Sequence, residues 1–200
     1  MNIALFGTSA DPPSIGHQQI LQWLGHQYDR VWVWVADNPF KVHQANLSDR
    51  LKMMELTIAA IQPPIHTITI HPELSHSRTI HTLEQAQQIL SHANFTLVVG
   101  GDLVPQLPTW YRAQELLSQV HVLIVPRQGV AIAASDIERL ISMGTKVAIA
   151  PAATSIPNVS SSDYRNSGNS SVIIPTVAAY IQQESLYAWQ TSPALQPPKP

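Results

Sequence analysis

Six short apolar runs, each separated from the next by a stretch with helical spacing, limit what this chain can fold into more than any other feature. The runs cover residues 2–6, 31–35, 66–70, 95–99, 120–125 and 146–150. Val31-Trp32-Val33-Trp34-Val35 is rich in β-branched and aromatic side chains, and residues 2–6 are apolar without polar alternation, as in strands covered on both faces. Trp32 and Trp34 share one side of the pleat and read as core. Helical spacing of apolar residues occupies 17–26, 49–60, 79–90, 110–117 and 135–143, and Pro175 opens a last helix to Gln183. Ser48 and Ser135 are the expected caps of the second and fifth helices. This alternation predicts a doubly wound α/β fold with a mostly parallel sheet and helices on both faces. The 200 residues, 44% of them hydrophobic, suffice for one such domain over 1–190. Four prolines in 191–200 predict a disordered tail.

Ligands of such sheets sit at the carboxyl ends of the strands. The polar segments 7–17, 36–41, 100–102, 126–127 and 154–165 all follow strands, so they are expected to converge on one edge. The first is the most informative. A strand runs into Gly7-Thr8-Ser9, and a helix opens at Gly16-His17. Backbone N–H groups of such a turn, with the positive end of the helix dipole, suit an anion. Neither a G-x-G-x-x-G fingerprint nor a G-x-x-x-x-G-K-[ST] loop is present. Instead the segment offers the imidazole of His17, as a cation or a neutral donor, which points to phosphate chemistry on a nucleotide.

Composition removes other classes. A formal net charge of −2, with 11 basic residues scattered along the chain, argues against nucleic acid as a partner. The absence of cysteine excludes disulfides, thiolate nucleophiles and cysteine-bound zinc, and fits a cytoplasmic protein. No signal peptide and no apolar stretch of membrane-spanning length is visible. His66, His71, His76 and His81 recur at intervals of five without an H-x-x-x-H pair, so no metal site is expected from protein ligands.

Gly7-Thr8-Ser9-Ala10-Asp11-Pro12 through Gly16-His17 resembles the opening signature of the nucleotidyltransferase superfamily with a histidine-x-glycine-histidine motif, and Ser160-Ser161-Ser162-Asp163-Tyr164-Arg165 is similar to its second signature. Within it the chain looks most like the nicotinate mononucleotide adenylyltransferase family. Pro39-Phe40-Lys41, Asp49-Arg50-Leu51, Thr79-Ile80-His81-Thr82-Leu83, Gly100-Gly101-Asp102, Trp110, Arg127 and Leu186-Tyr187 match it in order. Ser14 stands where the family has its first motif histidine, Arg78 where an aromatic residue is usual, and His81 where an acidic one is usual.

The resemblance implies a Rossmann-like nucleotidyltransferase fold and adenylyl transfer from ATP to nicotinate mononucleotide, giving deamido-NAD and pyrophosphate. It implies catalysis by His17 and Arg165 with Ser14 donating a hydrogen bond. Gly7, Thr8, Ser9, Gly16, Lys41, Ser160 and Ser161 would join them around the triphosphate. Thr79, Asp102, Trp110 and Tyr111 would hold the mononucleotide, with Trp110 stacked on the pyridine ring. Mg²⁺ would be carried with ATP, with Asp102 a candidate contact. The sequence leaves open an amidated mononucleotide, another phosphate acceptor, a nucleotide-binding protein without catalysis, and a homo-oligomer. An inward-pointing Arg78 would favour the acid.

Overall fold

The computed structural model describes residues 1–37, 42–151 and 161–187. Among these, strands β1 (Asn2–Thr8), β2 (Arg30–Val35), β3 (Ile68–Ile70), β4 (Asn94–Gly100), β5 (His121–Val125) and β6 (Val147–Ile149) form one sheet in the order β3-β2-β1-β4-β5-β6. All five ladders are parallel. Helices α1 (Ile15–Gln27), α2 (Leu47–Ala59), α3 (Thr79–Ile89), α4 (Ala113–Gln119), α5 (Ala134–Ser142), α6 (Ser161–Ser167) and α7 (Pro175–Gln183) surround the sheet, with 3₁₀ helices over Pro72–Leu74, Gly101–Thr109 and Ser170–Val172. The chain starts mid-sheet, winds outward to β3, then returns to lay β4 against the other side of β1. Strand order therefore reverses between β1 and β4, where such sheets open a crevice.

The period-two pleat divides the core. Ile3, Leu5, Trp32, Trp34, Leu97 and Ile124 pack on one face against Ile80 and Leu83 of α3 and Leu116 and Leu117 of α4. Ala4, Phe6, Val31, Val33, Val98 and Leu123 pack on the other against Ile20, Leu21 and Leu24 of α1 and Met54 of α2. A third cluster joins Met53 of α2 to Tyr164, Val177, Ile181 and Tyr187, fastening the C-terminal helices to the domain.

Local differences from the sequence reading have local causes. β3 is an edge strand and pairs through three residues only, shorter than the expected 66–70. Asn46, not Ser48, caps α2: its side chain accepts from Asp49 N–H at 2.9 Å, and the Ser48 hydroxyl donates to it from inside the helix. α5 starts at Ala134, so Ser135 lies inside it. α4 begins at Ala113 rather than 110 because Arg112 turns through the left-handed region at φ 54°, and Trp110 ends a 3₁₀ helix where a polar loop was expected. Arg165, expected in a loop, lies on α6.

Candidate functional site

The segments after β1, β2, β4 and β5 meet α6 and the start of α3 around a cavity of about 870 Å³ at the carboxyl edge of the sheet. The β1–α1 turn brings Gly7, Thr8, Ser9, Ser14 and His17 to one wall. Ser161 and Arg165 reach it from α6. Thr79 at the start of α3, and Asp102, Trp110 and Tyr111 from the segment after β4, line it on the other side. Gly16 does not line it; as the second residue of α1 it is buried in the helix's first turn. Lys41, Ser160 and the 191–200 tail lie outside the described residues.

His17 is the third residue of α1, one helical turn past the cap residue Ser14. The Ser14 N–H donates to Nδ1 at 3.0 Å, and the Ser14 hydroxyl lies 2.9 Å from the same nitrogen. A backbone N–H only donates, so Nδ1 accepts and the ring proton sits on Nε2. That proton points to Thr8 Oγ1, 2.9 Å away. The imidazole thus fills the place of the Glu or Gln in a capping box. Ser14 is itself buried, lines the cavity beside His17 and holds the ring. Its position one turn before His17 dictates this.

Burial, and secondly the charge of Arg127, lower the His17 pKa from 6.5 to about 4. At neutral pH the ring is a neutral Nε2–H donor, which decides between the two forms left open by sequence. Because the folded pKa lies below the unfolded one, the unfolded chain binds the proton first as pH falls. The stabilisation is whole above pH 6.5 and is lost as pH drops towards about 4. The full shift from 6.5 to about 4 corresponds to at most roughly 3 kcal/mol. Urea unfolding at pH 7 and pH 5 should show this loss in the wild type and a smaller one in His17→Ala.

Gly7 is required by packing. A Cβ there would lie 2.3 Å from Cζ2 of Trp34, whose buried indole crosses the end of β1 and lines the cavity. Overpacking of this kind costs about 1–3 kcal/mol. Gly7→Ala should lower the melting temperature and weaken nucleotide binding together, readable by calorimetry on one sample.

Three residues without a role in the sequence reading build the site. Asp11 accepts from Gln44 N–H at 2.9 Å, Ala45 N–H at 3.2 Å and the Tyr187 hydroxyl at 3.0 Å, while its carbonyl accepts from Arg165. Burial and the Asp11 charge push the Tyr187 phenol far up, so it stays a donor. Arg50, 1% exposed, donates to the carbonyls of Ser9, Ala36 and Ala45 and to the Asp37 carboxylate, tying the turns after β1 and β2 together. Arg50, Met53, Met54 and Thr57 follow the i, i+3, i+4, i+7 pattern of a buried face, the signal that places this arginine inside. Arg127, after β5, pairs with Asp102 at 3.3 Å and lines the cavity.

Arg165 donates to Asp11 O and, at 3.0 Å, to Ser162 Oγ; Ser161 Oγ donates to Pro12 O at 2.8 Å. The second signature is thereby docked on the first. The described lining carries Arg78, Arg127 and Arg165 against Asp11 and Asp102, in a chain whose formal net charge is −2. Both carboxylates are already engaged, by Arg127 and by the donors around Asp11. Such a cavity selects a polyanion.

A profile of the cytidylyltransferase-like family matches residues 5–167. A Synechocystis protein described as a probable nicotinate-nucleotide adenylyltransferase is 40% identical over 198 residues, spanning 94% of this chain and 99% of its own length. One of the same description from Geobacillus thermodenitrificans is 29% identical over 203 residues, spanning 96% and 88%. The structure of Plasmodium falciparum nicotinic acid mononucleotide adenylyltransferase complexed with NaAD superposes with a TM-score of 0.78 over 93% of this chain and 97% of that one. At 19% identity this is a likeness of fold. The chain belongs to the cytidylyltransferase-like family, in its nicotinate-nucleotide adenylyltransferase branch.

Proposed function

We propose that the chain transfers the adenylyl group of ATP to the phosphate of nicotinate mononucleotide, giving deamido-NAD and pyrophosphate. The observation that carries this reading is one cavity joining the His17 donor, the guanidiniums of Arg127 and Arg165, and the flat side chains of Trp110 and Tyr111. A phosphate oxygen of the mononucleotide forms a bond to the α-phosphorus while the bond from that phosphorus to the bridging oxygen breaks, and pyrophosphate leaves with the electron pair. This chemistry asks the protein for positioning and charge stabilisation.

His17 Nε2–H exchanges Thr8 Oγ1 for an oxygen of the α-phosphate, in a place where the ring needs no reorientation. Arg165 grips the β- or γ-phosphate through its planar fork, with Ser161 at the same wall. Arg127 adds a second cation near His17. Mg²⁺ enters as part of the substrate, bound to the triphosphate. Among the described residues no group of three or more His, Asp or Glu gathers into a metal cage, and Mg²⁺ on nucleotides needs few protein ligands. Among those residues no helix is long and apolar enough to cross a membrane, and we place the reaction in the cytoplasm.

Mixing the chain with ATP, Mg²⁺ and nicotinate mononucleotide tests the reading. Pyrophosphate and the dinucleotide should appear in equal amounts. Binding of ATP without either product would reverse it.

A further inference from the structure

We propose that Tyr187 is a positioning residue for the nucleotide: its hydroxyl, acting through Asp11, holds the Arg165 guanidinium where a triphosphate docks. The inference deepens the adenylyl-transfer reading and rests on it. Arg165 reaches the cavity from α6, and two of the five N–H groups of its fork are used within the chain, on Asp11 O and, at 3.0 Å, on Ser162 Oγ. Ser162 belongs to α6 itself, so the contact that fixes the guanidinium against the β1–α1 turn, and hence against His17, is the Asp11 carbonyl. Ser161 docks the same helix on the next carbonyl, Pro12 O, at 2.8 Å.

That carbonyl stays in place only as far as Asp11 does. Ala10, just before it, sits at φ 48°, a left-handed conformation that is unfavourable for alanine, so the turn needs an anchor from outside. The anchor is the buried Asp11 carboxylate. It accepts from the N–H groups of Gln44 and Ala45, on the segment leading into α2, and at 3.0 Å from the Tyr187 hydroxyl. The Tyr187 ring also meets that of Tyr164 edge-on, with centroids 5.8 Å apart and planes at 88°. Tyr187 therefore touches both sides of the Arg165 contact: the residue whose carbonyl accepts from the guanidinium, and the residue that precedes Arg165 on α6. A second tyrosine makes a similar bond away from the cavity. Tyr180 of α7 donates to Asp49 Oδ1 of α2 at 2.9 Å, and neither residue lines the site.

Tyr187→Phe keeps the ring against Tyr164 and removes the hydroxyl. Calorimetric binding of Mg²⁺–ATP, without mononucleotide, should weaken about fivefold, as expected for loss of one hydrogen bond, while binding of nicotinate mononucleotide is unchanged. Tyr180→Phe removes a hydroxyl bond of the same kind and should leave both affinities as they are. Arg165→Ala alone should weaken ATP binding about tenfold or more, and adding Tyr187→Phe to it should have no further effect, because the group through which Tyr187 acts is gone. Arg165→Gln replaces Arg165→Ala in this comparison if the latter does not fold. Unchanged ATP affinity in Tyr187→Phe, an equal loss for the mononucleotide, an equal loss in Tyr180→Phe, or a further loss in the double variant each overturns the proposal. Wild type that binds ATP but makes no dinucleotide ends the adenylyl-transfer reading, and the ATP affinities still decide Tyr187. Wild type that does not bind ATP overturns both.

Discussion

Replacing His17 with alanine is expected to lower kcat for adenylyl transfer about 100- to 1,000-fold, the usual cost of one preorganised donor to a developing oxyanion. The stability cost should be near 1 kcal/mol, because only the reciprocal half of the α1 cap is lost. These two magnitudes separate chemistry from folding. His17→Gln sharpens the separation: serine followed three residues later by glutamine closes a capping box, so Ser14 N–H regains an acceptor. That variant should recover wild-type stability and only part of the rate. Pyrophosphate release and urea unfolding on the same preparations measure both. A kcat in His17→Ala within a few-fold of wild type would remove this residue from the chemistry.

The second large effect is structural. Asp11→Ala should destabilise the fold by about 3–5 kcal/mol, because it strands the N–H groups of Gln44 and Ala45 and the Tyr187 hydroxyl, three donors around one buried carboxylate. Removing the hydroxyl alone, by Tyr187→Phe, should cost about 1 kcal/mol. The double variant should be less destabilised than the two costs added, since one orphaned donor disappears. Denaturant unfolding of the four proteins gives this coupling. Strict additivity would show that Asp11 and Tyr187 act independently, contrary to their 3.0 Å contact.

How much of this was legible in the sequence depended on range. The buried strands and the helix opening at Pro175 follow from local pattern, and their parallel order follows from alternation. The loops after strands meet at one edge because parallel strands all end there. The hub at Asp11 was invisible, because its partner Tyr187 lies 176 residues away and no periodicity reports that contact. Ser14 is a clearer lesson. Residue type suggests a donor to phosphate; what sequence does not show is that its place at the cap, one turn before His17, also makes it the residue that holds the imidazole. Arg127 is legible as a family match after the fifth strand, but only the structure shows β5 setting it beside Asp102 and close enough to His17 to depress its pKa.

The central claim is that the His17 imidazole and the Arg165 guanidinium meet one triphosphate. Nitrogen NMR during titration with a non-hydrolysable ATP analogue tests it most directly. The account predicts that the His17 Nε2 and Arg165 side-chain resonances both move, with one shared dissociation constant. Saturable binding that leaves both signals where they were would contradict it.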